Sequence, residues 1–242
     1  MMFDSYIKAQ SVFSSAVKAL RRNKIRSLLT SIGIIIGVSS VIIMTGLANS
    51  ARNAVKQKII SYGANAMSIG WSLRPLTDRN YSDIKELSPF IQYASPYCDL
   101  DDKKVRRDRL VDQIKLVGVN NDFFYMRDWH MMFGRYFDDQ EISGSQNVAI
   151  IGVSVQRTFF GGYNSVGNII FINDTPYQII GILDETGTNL SGKDIDKIIM
   201  IPYTTAFTRF IGKREMSGIH LSTYEESMVS PVTASVTQYL RT

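Results

Sequence analysis

With a single cysteine, Cys98, the chain cannot close an internal disulfide, and cysteine usage leaves its redox compartment unread. A bacterial extracytoplasmic domain without disulfides is compatible with that count. Histidine is nearly as scarce. His130 and His220 lie far apart, and neither has ligand companions at metal spacing, so no metal site is expected. Cys98 has no activating base beside it in the sequence, and no catalytic constellation is assembled elsewhere. Asp138, Asp139 and Glu141 follow Gly134-Arg135-Tyr136-Phe137 and are expected to form an exposed acidic turn rather than an acid/base or metal site. The stretch from Gly187 through Gly192 to Lys193 satisfies G-x-x-x-x-G-K, the phosphate-cradling pattern. The next position requires Ser or Thr but holds Asp194, with Asp196 close behind, and the segment that follows is strand-like rather than helical. No catalytic residue, cofactor or metal is therefore expected, and the chain is not read as an enzyme.

A basic surplus outside the N-terminus is also lacking. The net charge of the whole chain is +5, and the first 27 residues carry Lys8, Lys18, Arg21, Arg22, Lys24 and Arg26 against Asp4 alone. That local surplus accounts for the whole excess. The remainder is balanced, which argues against a nucleic-acid surface. The cluster Lys18, Arg21, Arg22, Lys24 and Arg26 reads instead as a juxtamembrane patch facing anionic membrane lipid.

What the sequence does have is one long uncharged run. Nothing from Ser27 to Ala51 bears a charge, and its core, 28–48, contains eleven Leu, Ile and Val residues. At ~1.5 Å per residue the core spans roughly 32 Å, matching a hydrocarbon layer of ~30 Å. Those aliphatic residues favour insertion by roughly 5 kcal/mol. The denser basic flank precedes the run, placing the N-terminus in the cytoplasm and the main domain outside. A cleaved signal peptide fits less well, because its apolar core runs to only about 7–15 residues. Before the run, Phe3, Tyr6, Ile7, Phe13, Val17 and Leu20 recur at helical spacing, as an amphipathic helix in the cytoplasmic interface would. Within it, Thr30, Gly33, Gly37 and Ser40 share a face and include G-x-x-x-G. That face suits close packing of another membrane helix, although glycine is also simply common in such helices.

Beyond the run, an apolar pattern over 53–60 continues the helix as a stalk, with Gly63 as its cap. Strands are expected over 66–71, 91–97, 110–119, 148–152, 169–172, 177–183, 197–201 and 219–222. Short helices are expected over 82–87, 155–160, 202–210 and 231–240. The mixed-charge stretch 99–109 is read as an exposed hairpin loop, and 173–176 as a second hairpin turn. Strands and helices interleave without a regular βαβ repeat, which gives an α+β fold.

Several stretches then form an ordered set. Residues 19–44 carry Arg26-Ser27 and Leu29-Thr30 leading into a Gly-rich helix, and Gly63-Ala64-Asn65 follows. Gly134-Arg135-Tyr136-Phe137, Val148 to Gly152, Phe159-Phe160-Gly161, Val166-Gly167, Ile179 to Leu183, Gly192/Asp194/Asp196 and Ile201-Pro202 come after in order. This series resembles the N-terminal part of ABC-transporter permeases of the macrolide-exporter (MacB) type, from about residue 15 to 242. The resemblance implies an extracytoplasmic porter-like α+β domain with a small inserted α/β part. The bounds would be a cytoplasmic segment 1–27, a transmembrane helix 28–48, a helical stalk 49–62, a porter-like part 63–119 with 219–242, and an insertion 120–218. It also implies mechanotransmission, in which a separate ABC ATPase subunit drives motion of the outer domain for export or release of a substrate. Other expected partners are the remaining permease helices or a second permease copy, an extracytoplasmic adaptor protein and membrane lipid, at a bacterial cytoplasmic (inner) membrane. The family continues with further transmembrane helices, and no second apolar run of that length follows Ala51, so a fragment or split subunit is expected. The alternative is a membrane-anchored binding or scaffolding domain without transport activity of its own.

Overall fold

A computed structural model describes residues 24–61, 65–70, 75–189 and 192–241. The expected interfacial helix before residue 24, with Lys18, Arg21 and Arg22, lies outside the described residues, as do Gly63, Ala64 and Trp71. The chain divides into two units, Met1–Lys58 and Ile59–Thr242.

The first unit is dominated by one helix, α1 (Lys24–Ser61), 38 residues long. At ~1.5 Å rise per residue it measures about 57 Å, more than a ~30 Å hydrocarbon layer requires. Its Lys24–Ser50 portion has a mean hydropathy of 2.2 and is the one helix among the described residues long and apolar enough to cross a membrane. Ile34 is 65% exposed and Met44 75%. A helix with large aliphatic side chains outward on every side is compatible with lipid as its solvent. Two of its hydroxyls bond back to the helix backbone. Thr30 Oγ1 donates to the Arg26 carbonyl, and Thr45 Oγ1 donates to those of Val41 (2.9 Å) and Ile42 (3.0 Å).

The second unit is built on a mixed sheet. Its elements are β1 (Ala66–Gly70), β2 (Leu76–Thr77), α2 (Asp78–Glu86), β3 (Ile91–Arg107), β4 (Leu110–Val119), α3 (Asp122–Met126), β5 (Met131–Gly134) and α4 (Asp139–Ser143). There follow β6 (Val148–Ile151), α5 (Val153–Phe160), β7 (Ile169–Ile172), β8 (Thr175–Leu183), β9 (Ile198–Pro202), α6 (Tyr203–Ala206), β10 (Glu215–Met216), β11 (Gly218–Thr223) and α7 (Val229–Arg241). The strand order is β1-β11-β3-β4-β9-β6-β8-β5, with β7 pairing β3 and β8, while β10 and β2 form a separate two-stranded piece. The fold is α+β, as expected.

Alternation along the central strands divides the core. Ile114 and Leu116 of β4, Ile151 of β6 and Ile199 of β9 point into one cluster. Val117 and Val119, Ile150 and Met200, from the same strands, point into a second. Successive strand side chains face opposite ways, so a sheet buried on both faces needs apolar residues at nearly every position. Strands β6 and β9 supply them throughout, and β4 over its buried end, 116–119.

The stretch 99–109 departs from expectation. It is not a loop: β3 runs unbroken to Arg107, and the turn is confined to Asp108 and Arg109, with Asp108 at φ 52. The first part of β3 pairs with β11 and its continuation from Cys98 pairs with β4, with a register shift between Asp99 and Asp102. Only Leu100 and Val105 are buried in this charged stretch, too few to reveal the alternation. Neighbours distant in sequence complete the environment. Val105 and Arg106 pair with Ile172 and Phe171 of β7, and Arg106 and Arg107 lay their guanidiniums 4.4 Å and 3.8 Å from the Phe171 and Phe160 ring centroids.

Smaller differences have local causes. Helix α2 starts at Asp78 rather than 82, because Asn80 Oδ1 accepts from both the Thr77 amide (3.0 Å) and its hydroxyl (2.8 Å). The β7–β8 turn is two residues, Asn173 and Asp174, at φ 46 and 64, the I′ geometry that matches strand twist. The expected helix over 202–210 becomes α6 followed by a π-helical turn, Phe207–Ile211, ending at Gly212 with φ 72. Elements α3, α4 and β5 are each too short to leave a periodic signal.

Candidate functional site

In the second unit, aromatic and cationic side chains converge where β3, β4, α3 and the segment before β9 meet. Tyr97 of β3 stacks on Phe123 of α3 at 5.8 Å between centroids and 22° between planes. His220 of β11 sits edge-on to both rings, at 4.7 Å from Tyr97 and 5.6 Å from Phe123. Trp129 meets Phe123 edge-on at 5.8 Å. The chain reaches Trp129 through Asp128, whose φ of 52 makes the sharp bend after α3. The Trp129 amide donates to the Phe124 carbonyl (3.0 Å), and Tyr136 Oη donates to the Trp129 carbonyl (2.9 Å), fixing the backbone from both sides. The Arg127 guanidinium lies 4.7 Å from the Phe123 centroid and 5.7 Å from that of Trp129.

Tyr97, Phe123, Arg127 and Trp129 border a cavity of about 190 Å³ that Lys115, Lys193, Asp194 and Lys197 also line, with His220 behind the two stacked rings and outside its lining. Lys115 Nζ donates to both Asp99 oxygens at 2.6 and 2.7 Å, and Lys197 Nζ lies 2.8 Å from Asp112. Burial, the largest single effect, works against the Lys115 ammonium, but the hydrogen bond to Asp99 together with the nearby Tyr97, Asp99 and Asp101 leaves the pKa raised. Burial, helped by the Arg127 charge, pushes His220 down to about 4, so its imidazole is neutral at pH 7. Burial likewise pushes the Cys98 thiol up to about 12, which removes it as a nucleophile.

The other sequence candidates resolve differently. The acidic turn is not simply exposed, because Glu141 is 5% exposed. Arg135 donates to it from both Nη atoms at 2.8 and 2.7 Å, and Glu141 Oε2 also accepts from the Asp138 amide at 2.8 Å. Asp138 Oδ1 in turn accepts from the Glu141 amide (2.6 Å), completing a capping box for α4. The landmark Gly134 precedes this pair with φ +85, and a Cβ there would lie 2.1 Å from the Ile180 carbonyl oxygen. In the phosphate-loop look-alike, Asp196 accepts from the amides of Thr186 and Gly187, the latter at 2.8 Å. A carboxylate of the chain itself thus holds the amides at the start of this loop. Among the described residues, no His, Cys, Asp and Glu group could hold a metal.

Thr30, Gly33, Gly37 and Ser40 lie on α1, and a Cβ added at either glycine would meet nothing within 4 Å. Lys24 and Arg26 occupy its first turn. None of these nears the cavity residues in sequence. The cavity itself was not foreseen: Phe123 to Trp129 is visibly aromatic, but nothing in the sequence places Tyr97 or His220 against it.

The family described as MacB-like periplasmic core domain matches residues 27–239. The macrolide export ATP-binding/permease protein MacB of Wolinella succinogenes is 30% identical over 213 residues, covering 84% of this chain and 33% of that protein. The pyoverdine export ATP-binding/permease protein PvdT of Pseudomonas aeruginosa is 29% identical over 223 residues, covering 90% and 34%. The chain thus spans about a third of the length of these curated relatives. Among solved structures, the periplasmic region of MacB from Actinobacillus actinomycetemcomitans superposes with a TM-score of 0.64 at 17% identity, over 76% of this chain and 86% of that one. The extracellular domain of the ABC-type transporter YknZ from Gram-positive bacteria gives 0.60 at 15% identity, over 72% and 90%.

Proposed function

The chain belongs to the MacB-like periplasmic core domain family, and from that premise we propose that it acts as a permease subunit in an ABC transporter of the mechanotransmission type. One observation carries this. The family match over 27–239 takes in both the apolar helix and nearly all of the outer unit, the two parts that such coupling requires. In this reading a separate ATPase subunit hydrolyses ATP in the cytoplasm, α1 carries the movement across the inner membrane, and the outer unit responds by exporting or releasing a substrate. The basic flank, with Lys24 and Arg26 at the start of α1, supports a cytoplasmic N-terminus. The face of Thr30, Gly33, Gly37 and Ser40 is where further permease helices or a second copy would pack. An extracytoplasmic adaptor would dock on the outer unit.

The outer unit would work as a porter-like part (63–119 and 219–242) and an inserted part (120–218). The chain would not itself be an enzyme, in keeping with the carboxylate that closes its phosphate-loop look-alike.

Gentle detergent extraction of native membranes, followed by affinity purification of this chain, tests the proposal. An ABC ATPase is expected to co-purify, and its ATP hydrolysis to change when the chain is removed. A chain that never associates with an ATPase would instead be a membrane-anchored binding or scaffolding domain.

A further inference from the structure

The sheet of the outer unit ends at β1 on a free edge. Among the described residues β1 pairs only with β11, antiparallel, and β11 pairs in the same sense with β3. Strands β1 and β3 are therefore parallel. They are joined through α2, and β11 fills the one position between them. The stretch from β11 into α7 begins the same pattern. Ile84 of α2 and Val232 and Val236 of α7 enter one core cluster, and Tyr239 Oη donates to Asp83 at 2.6 Å, so the two helices lie side by side on one face. Split βαβ crossovers keep one hand. Repeating the crossover from β11 over β1 sets its closing strand on the free edge of β1, antiparallel to it. The packing stops one strand short at that edge. Leu221 and Ile219 of β11 are 0% exposed, whereas their register partners Met67 and Ile69 are only half-buried, although they pack against the same cluster. Thr233 Oγ1 of α7 donates to Met67 Sδ at 3.5 Å, so the Met67 side of β1 faces the helix and Ser68 faces away. The sequence of β1, AMSIG, contains no charge and no proline, two of the devices that blunt an edge, and only its length of 5 residues protects it.

We propose that the free edge of β1 accepts one strand from a partner polypeptide. The added strand is an extended, uncharged segment antiparallel to β1, with apolar side chains beside Met67 and Ile69 under α7 and small polar ones beside Ser68. Main-chain hydrogen bonds to the edge supply affinity, and the open flank of the core beside Met67 and Ile69 supplies selectivity for alternate apolar residues. Such binding depends only on the folded outer unit and not on the transport proposal.

Hydrogen–deuterium exchange of the full chain in lipid nanodiscs tests it, with the peptide acetyl-KTVTVTVTK-amide as probe. Its valines alternate as the edge requires. Acetyl-KTVPVPVTK-amide, which cannot donate at two ladder positions, is the matched control. With the probe at about 1 mM, the outward amides of 66–70 should exchange about fivefold or more slowly, saturably, and the proline peptide should leave them unchanged. Ile69→Lys, which sets a charge into the flank under α7, should weaken the probe by about tenfold. Ser68→Lys should leave its affinity within about twofold, because Ser68 is exposed on the other face. If Ile69→Lys fails to fold, the two peptides compared on the wild-type chain still decide. Unchanged exchange over 66–70 at about 1 mM probe, or equal slowing by the proline peptide, would overturn the proposal. So would slow exchange without any peptide that deepens with chain concentration, which would place a second copy of the chain on the edge. No ATPase enters the measurement, so failure here leaves the transport reading standing, and the reverse also holds.

Discussion

Removing Arg135 should cost the outer unit more than a surface ion pair would, because its partner Glu141 is buried. The Glu141 side chain is 7% exposed and that of Arg135 53%. Arg135→Ala therefore leaves a buried carboxylate with only the Asp138 amide to satisfy it. Exposed pairs are worth about 0–1 kcal/mol, and breaking a fully buried pair costs about 3–5 kcal/mol. With one partner half in water, a cost of about 2 kcal/mol is expected, which lowers Tm by roughly 4–8 °C in a domain of this size. Near-UV circular dichroism of the chain in detergent would follow the melt. Glu141→Gln and the double variant complete a cycle, in which a coupling of about 1–2 kcal/mol should appear at pH 7. The pH dependence fixes the mechanism. The hydrogen bonds from Arg135 hold the Glu141 carboxyl below the ordinary carboxylate range. A depressed carboxylate adds stability that is complete above its unfolded pKa and vanishes as pH falls through its folded pKa. The gap between wild type and Arg135→Ala should therefore close in acid. Equal melting temperatures at pH 7, absent coupling, or a gap that survives acid would refute the assignment.

His220 should make the outer unit sensitive to mild acid. Its folded pKa of about 4 is depressed, so stability is full above the unfolded value of ~6.5 and falls below it, by about 1.4 kcal/mol per pH unit at most. Urea titrations at several pH values should show that slope in wild type and a flatter one in His220→Phe, and equal slopes would contradict the burial. Gly134→Ala should destabilise by about 2 kcal/mol or more, since its Cβ would meet the Ile180 carbonyl at a positive φ; a wild-type urea midpoint would show that the turn can relax. Cys98, buried and pushed up to about 12, should react with iodoacetamide at pH 8 about a thousandfold more slowly in the native chain than in urea, as read by mass spectrometry. Comparable rates would mean that the sheet opens readily at β3.

The long elements were legible because their signals are local. The strands β6 and β9 are nearly continuously aliphatic, β4 and β8 end in aliphatic stretches over 116–119 and 179–183, and α1 carries a long uncharged run. The course of β3 was not legible, since its charged residues face solvent while two buried side chains and the edge of β7 hold it in the sheet. The buried state of Glu141 was hidden for a similar reason: its acidity suggested solvent until Arg135 was placed against it.

The sequence alone determined the apolar helix, the basic flank, the α+β class and the ordered landmarks of the family, all of which depend on neighbours along the chain. Tertiary structure alone decided the cavity beside Trp129. Tyr97, Phe123 and His220 come from β3, α3 and β11, and only the pairing of β11 with β3 and the docking of α3 bring their rings together. Hydrophobic periodicity records which side of an element is buried, but it carries no information about which distant side chain it will be buried against.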